Sequence, residues 1–250
     1  MQKRMHFLWL FSLGLLISFS ACKKETPPAQ QEETSDIQVH ADDELFVSSE
    51  IDRIFNDANV LLEANNVSPR NQENTICDAT VSVDIISDPQ TITISFNGGR
   101  CITNLKREGE IVLSANKGMK WQNAGSSFKV RFNDFKLTRS SDNKSITING
   151  DQTYTNLNGG LLSNLSSLES VVHTVVSNGL SITFPDGSKR TWQVSQKRVY
   201  TYDNGIVATV TGMRTDNGDT QIAVWGTNRF GTNFTSSITT PLVIRQDCNF

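Results

Sequence analysis

The segment "TVSVDIISDPQTITISF", from Thr80 to Phe96, has the clearest strand pattern in the chain. Apolar and polar residues alternate on both sides of Ser87-Asp88-Pro89-Gln90, a pattern typical of two strands joined by a tight turn. The stretch therefore predicts an antiparallel hairpin. If both apolar sets share one face, the opposed pairs are Ile85 with Ile92, Val83 with Ile94, and Val81 with Phe96.

Strand and turn signals continue to the end of the chain, which predicts a β-meander in which neighbours in sequence pair in the sheet. The strand Lys189 to Tyr202 is long, which favours a strongly twisted sheet over an immunoglobulin sandwich. "ITISFNGG" (92–99) and "LSITFPDG" (180–187) align without gaps. The region 67–250 is therefore interpreted as an antiparallel β domain, as a single unit or as two repeated β-modules.

A helical period precedes the strands, in the segment 41–66. Ser48 or Ser49 is placed to cap a helix that runs from about Ser49 to Ala64. We expect the apolar face of this helix to pack on the sheet. The predicted fold class is thus mainly β, with twisted antiparallel β-meander sheets and one N-terminal α-helix packed on them. The apolar face of the helix consists of Ile51, Ile54, Phe55, Ala58, Leu61 and Leu62.

The chain begins with the layout of a secretory signal. Lys3 and Arg4 precede a mostly apolar run from Phe7 to Phe19. This run is too short to span a bilayer comfortably, because a spanning helix needs about 20 apolar residues. A basic start, a short apolar core and small residues predict an export signal rather than a membrane anchor.

The end of this signal resembles the lipobox of bacterial lipoproteins. Ser20 and Ala21 are small and stand directly before Cys22. The resemblance implies that residues 1–21 are a lipoprotein signal peptide, and that the Cys22 thiol receives a diacylglycerol and becomes the mature N-terminus with its palmitate-type acyl chains. An ordinary signal peptide with an incidental cysteine is the alternative.

Residues 22–40 are predicted to form the lipidated cysteine and a disordered tether. They are charged and rich in Gln, Glu and Pro, so that they bury too little apolar surface to offset the entropy of ordering. Removal of residues 1–21 takes the formal charge from −3 to −5. No basic block stands out, which argues against a nucleic-acid partner. The predicted location is the outer membrane of the cell envelope, facing the periplasm or the cell surface.

Two of the cysteines flank the first hairpin, Cys77 before it and Cys101 after it. A β-bulge at Gly98-Gly99 would bring them face to face, and the cell envelope permits disulfides. We predict a Cys77–Cys101 disulfide, with Cys101–Cys248 as the rival pairing. In the chain-entropy model a bridge across the hairpin contributes about 3 kcal/mol.

Three stretches together resemble a family of uncharacterised Bacteroidetes lipoproteins. They are "TITISFNGGRC…REGEIVL", "NGLSITFPDGSKRTW" and "TTPLVIRQDC", and the resemblance covers most of the chain from about Asp42 onward. It implies a β-rich lipoprotein with no assigned activity, cofactor or catalytic residues.

No catalytic motif, cofactor site or metal site is predicted. His173 lies in a strand without a partner motif, and the cysteines lack zinc spacing. Glu108 and Glu110 fall on one strand face, about 7 Å apart, a separation that would suit glycoside hydrolysis. A solvated face beside Lys106 and Arg107 is the simpler interpretation. Turn chemistry likewise explains the cluster Asp216, Asn217 and Asp219 better than calcium binding.

Aromatic residues supply a hint of ligand binding, since sugars stack on exposed rings. Burial in the core is the competing interpretation. We predict a non-catalytic envelope module that binds a glycan, a surface polymer or an envelope protein, or that serves a structural role. A carboxylate-dependent carbohydrate- or peptidoglycan-active enzyme is the alternative. The candidate ligand-binding residues are Trp121, Trp192, Tyr200, Tyr202 and Trp225.

Overall fold

The computed structural model describes residues 28–67, 76–99 and 104–246. These residues form one α-helix, α1 (Pro28–Val67), and a 12-stranded antiparallel sheet, which confirms the predicted mainly β fold class. A short 3-10 helix, Leu162–Ser167, lies between the fifth and sixth strands. The strands are β1 (Ala79–Asp84), β2 (Gln90–Asn97), β3 (Leu105–Ala115), β4 (Ser126–Arg139), β5 (Ser145–Asn156), β6 (Val171–Thr183), β7 (Lys189–Tyr202), β8 (Ile206–Gly212), β9 (Arg214–Asp216), β10 (Asp219–Thr227), β11 (Asn233–Ser237) and β12 (Leu242–Arg245).

The sheet is a meander up to β7 and then branches. Strands β1 to β7 pair in sequence order. On its far side, β7 pairs with β10 along Thr191–Val194 and with β8 along Gln196–Tyr202. Strand β10 then carries β9 and β11, while β8 carries β12. One long strand therefore supports two branches of the sheet.

A line of β-bulges crosses the middle of the sheet. The registers shift at Gly109 between β3 and β4, and at Gly150 between β5 and β6. Both glycines have a positive φ, of 97° and 120°. A Cβ atom on Gly109 would lie 2.3 Å from the carbonyl oxygen of Asp134, so no larger residue fits there. Because bulges bend and twist strands, this line lets the sheet curve around α1.

The chain divides into two compact units, Met1–Gln38 and Val39–Phe250. In the described part of the first unit, residues 28–38 are helical, whereas a disordered tether was predicted across 22–40. Local propensity explains the difference, because Pro28 suits the first position of a helix and the Ala, Gln and Glu residues after it are good helix formers. The predicted signal peptide lies outside the described residues.

The second unit contains the part of α1 that packs on the sheet. All six residues of the predicted apolar face are buried, and Val47 extends that face towards the N-terminus. The predicted helix start was wrong. Ser48 and Ser49 lie within the helix, and their hydroxyls donate to carbonyl oxygens of the preceding turn, at Glu44 and Phe46.

The predicted hairpin is present as β1 and β2, but its predicted register was wrong by two residues. The observed pairs are Ala79 with Phe96, Val81 with Ile94, and Val83 with Ile92. The carboxylate of Asp84 accepts hydrogen bonds from the amides of Ile86 and Ser87, at 2.9 and 3.0 Å, and so ends β1 early. A shift of two residues keeps each side chain on its face, which is why the alternation still predicted the buried residues of β2.

Candidate functional site

Three of the predicted aromatic residues belong to the core. Trp121, Trp192 and Tyr200 are 1%, 3% and 6% exposed. The indole N–H of Trp121 donates to Asn59 at 2.9 Å, and that of Trp192 donates to Glu44 at 3.0 Å, so both tryptophans fix α1 to the sheet.

The other two predicted aromatics reach the surface at separate places. Tyr202 is exposed at the end of β7. Trp225 is half-buried on β10, with the guanidinium of Arg214 over its ring at 4.2 Å. The five residues therefore do not form one exposed aromatic face.

The predicted carboxylate pair consists of two separately bonded side chains. The bulge at Gly109 separates Glu108 from Glu110. Lys106 donates to Glu108 at 2.9 Å, and the side-chain amide of Asn133 donates to Glu110 at 2.9 Å. Each carboxylate thus has a local partner on the outer side of the sheet.

No metal site is found among the described residues, where no group of three His, Cys, Asp or Glu side chains converges. Asp216 ends β9, Asn217 lies in the turn that follows, and Asp219 begins β10. Cys77 takes part in a disulfide whose other half lies outside the described residues. Cys22, Cys101 and Cys248 lie there too, so lipidation and the Cys77–Cys101 pairing stay predictions.

His173 is fully buried beneath α1, with its ring among those of Phe55, Trp121 and Tyr200 at centroid distances of 5.8, 4.9 and 5.1 Å. Neither ring nitrogen has a hydrogen-bond partner among the described groups. Burial lowers the pKa of His173 to about 3, so the ring stays neutral at neutral pH. Its surroundings are those of a structural residue.

Several acidic residues of α1 bind arginines of the β strands and of the turn between β10 and β11. Asp52 binds Arg198 of β7 at 2.6 Å. Arg107 of β3 bridges Asp57 and Asp78 through three hydrogen bonds of 2.5 to 2.8 Å. Sequence reasoning missed these pairs, since the partners are far apart in the chain. Two further pairs are Asp43 with Arg229, and Glu44 with the fully buried Arg190.

A cleft lies along the other side of α1, between the helix and the ends of β3 and β4. Its volume is about 770 Å³, which is in the range of small-molecule sites. The helix wall follows helical spacing, so that every third or fourth residue of this stretch faces the cleft. We name it the α1–β3 cleft; its walls are Asp42, Leu45, Phe46, Ser49, Glu50 and Arg53 from α1, and Asn104, Leu105, Arg139 and Ser141 from the sheet.

Glu50 is the unusual residue of this cleft. Its side chain is 8% exposed, and its one ion pair is with Arg53, at 3.7 Å. That distance is too long for a hydrogen bond. Burial raises the pKa of Glu50, with Arg53, Arg107 and Arg139 acting in the opposite direction. The carboxylate oxygens of Glu50 are not among the fully enclosed atoms that lack a partner, so they reach the open space of the cleft.

Arg53 and Arg139 both line the cleft, but their ion pairs differ in strength. Arg139 binds Asp142 through two hydrogen bonds, at 2.9 and 2.6 Å, and lies over the ring of Phe46 at 5.1 Å. Arg53 is 55% exposed, and its one ion pair among the described residues is the loose contact with Glu50. The cleft thus offers an acceptor and a donor, side by side, that the fold does not use.

A second, smaller cavity of about 110 Å³ lies near the C-terminal end of α1. Its walls are mostly apolar, with Leu62, Ile92 and Trp121 among them. It has the size and chemistry of a packing gap rather than of a site with directed polar groups.

Among the described residues, no helix combines the length and the apolar character needed to cross a membrane. No protein-family model, curated protein or solved structure significantly matches this chain.

Proposed function

We propose that this chain is a lipid-anchored lipoprotein of the outer membrane, and that its β domain is a non-catalytic module that binds a ligand in the α1–β3 cleft. The basic start, the short apolar run and the small residues before Cys22 support the anchor. The membrane is then one partner, held through the N-terminal lipid, and the ligand of the cleft is the other.

The observation that carries the binding role is the pair of Glu50 and Arg53. A fold that needed both charges only for stability would join them by hydrogen bonds, as it joins Arg107 to Asp57 and Asp78. Glu50 and Arg53 lie 3.7 Å apart at the wall of the cleft, so both can form hydrogen bonds with a ligand.

The anchor is tested by labelling cells that produce the full chain with radioactive palmitate. We expect label on the wild-type chain in the membrane fraction, and none on Cys22→Ser, because the thiol is the site of lipid attachment. An unlabelled wild-type chain would refute the anchor. Protease treatment of intact cells then determines whether the domain faces the surface or the periplasm.

The binding role is tested by filling the cleft. Ser49 is exposed at its wall, so Ser49→Trp would occupy the cleft without entering the core. We expect the purified lipidated chain to be retained on immobilised cell-envelope material, and Ser49→Trp to lose that retention. Asn56→Trp is the matched control, since Asn56 is exposed on the same helix outside the cleft. Equal retention of both variants would contradict the proposal.

A further inference from the structure

We propose that the ligand of the α1–β3 cleft is an uncharged glycan, held by paired hydrogen bonds to Glu50 and Arg53. The inference rests on the proposed function and adds the chemical class of the ligand and the residues that select it.

Glu50 offers hydrogen-bond acceptors that the described protein groups do not use. The residue is 7% exposed, and its carboxylate has no hydrogen bond within the part of the chain that the structure describes. An ionised carboxylate has about four acceptor sites, and those of Glu50 are open to the cleft, since its oxygens are not among the fully enclosed atoms that lack a partner. A ligand that donates hydrogen bonds would fill them.

Arg53 offers the opposite kind of group. Its guanidinium carries five N–H donors, it is 55% exposed, and among the described residues its one ion pair is the 3.7 Å approach to Glu50. A ligand that reaches both residues must therefore accept from Arg53 and donate to Glu50. Adjacent hydroxyl groups of a sugar do both, because each hydroxyl is a donor and an acceptor.

The charges of the cleft argue against charged ligands. Two carboxylates, Asp42 and Glu50, face two guanidinium groups, Arg53 and Arg139, so that the formal charges cancel. Arg53 would attract a phosphate or carboxylate ligand but Glu50 would repel it, and the reverse holds for an ammonium ligand, so that neither gains a net charge attraction. A neutral, hydrogen-bonding ligand meets no such opposition.

The apolar part of the cleft completes the match to a sugar ring. Leu45 is 69% exposed, and the half-buried Phe46 lies one residue further along the wall. The C–H face of a sugar ring would cover these side chains, while its hydroxyls reach the charged pair. The cleft thus combines apolar surface with a few directed polar groups, as ligand sites do.

The experiment measures binding of the purified lipidated chain to five polysaccharides. Dextran, mannan and laminarin are neutral, polygalacturonate is anionic and chitosan is cationic. We expect binding to at least one neutral polymer in preference to the charged ones. Arg53→Ala and Glu50→Gln should each weaken that binding about tenfold or more, as expected for the loss of hydrogen bonds to a charged group.

Two control variants separate this effect from a general loss of charge. Arg131 is 56% exposed, like Arg53, but pairs with Asp151 outside the cleft, so Arg131→Ala should bind like the wild type. Glu110→Gln is the control for Glu50→Gln and should also bind like the wild type, because Glu110 lies on β3 away from the cleft. Thermal melting of every variant confirms that it is folded.

The outcomes distinguish this inference from the proposed function. Preference for polygalacturonate or chitosan, binding to no neutral polymer, or unchanged binding of Arg53→Ala and Glu50→Gln would overturn the glycan assignment. If Ser49→Trp still loses retention on envelope material in that case, the cleft binds a ligand of another class. If Ser49→Trp is retained normally, both proposals fail.

Discussion

Arg107 and Glu50 are both buried charges, and both lie where α1 meets β3 and β4, but their surroundings differ. Arg107 donates three hydrogen bonds, to the carboxylates of Asp57 and Asp78. Glu50 has one loose contact, with Arg53 at 3.7 Å. A charge whose hydrogen bonds are all supplied by the protein belongs to the fold. A charge whose bonds are left open, beside a cleft, is available for binding.

Removal of Arg107 should have the largest effect on stability. Arg107→Leu leaves Asp78, which is fully buried, without its partner. Breaking a buried ion pair on one side costs about 3–5 kcal/mol, and we expect that loss in the free energy of unfolding measured by urea denaturation. Arg131→Ala removes an exposed pair and should cost about 1 kcal/mol or less. Equal losses would show that the Arg107 cluster is not a structural centre.

His173 is a buried side chain whose protonation is disfavoured in the folded chain. Its pKa is about 3 in the folded chain, against 6.5 for an ordinary histidine, because burial disfavours the charged ring and Arg198 adds to that effect. Between these values only the unfolded chain takes up the proton. His173 therefore contributes a loss of stability as pH falls below 6.5, of up to about 1.4 kcal/mol per pH unit.

The measurement is the free energy of unfolding of wild type and His173→Leu between pH 7 and pH 4. The variant should lose stability less steeply than the wild type over this range. Comparison of slopes removes any constant effect of the substitution on packing. Parallel curves would mean that His173 is protonated as easily in the folded chain as in the unfolded one.

Replacement of Glu50 should have a small effect on stability, of the opposite sign. Burial raises the pKa of Glu50, so the folded chain binds this proton more readily than the unfolded chain does. The ionised form at pH 7 thus opposes folding, and the opposition fades as pH falls towards 4. We expect Glu50→Gln to melt slightly above the wild type at pH 7 and close to it at pH 4. A variant that melts lower at pH 7 would place Glu50 with the structural charges.

The sequence predicts elements better than it predicts their partners. Alternation in β2 identifies Ile92, Ile94 and Phe96 as buried, and helical spacing identifies the buried face of α1. The pairing register of the hairpin depends on the hydrogen bonds of Asp84, and the hydrophobic periodicity of the sequence does not reveal these bonds. The bulge at Gly109 has no signal in the hydrophobic pattern, because a glycine in a strand fits many roles.

The candidate site was predictable only in part. The helix wall of the cleft has the spacing of one helix face, so Asp42, Leu45 and Ser49 could have been grouped from the sequence. Arg139 joins them only because the meander brings the end of β4 to the helix. The aromatic residues misled because a tryptophan on a strand has the same sequence signature in a core as in a binding face.

The ion pairs of α1 join residues that are made at very different times during synthesis of the chain. Asp52 and Arg198 are 146 residues apart, and Asp43 and Arg229 are 186 apart. A chain made from its N-terminus completes α1 first, but the helix obtains these partners only after β7 and β10 exist. Phe55 meets a partner earlier in the chain, because its ring stacks on that of Tyr154 in β5. The helix is therefore fully paired only when nearly the whole chain has been made, and the cleft along it exists only once β3 and β4 are in place.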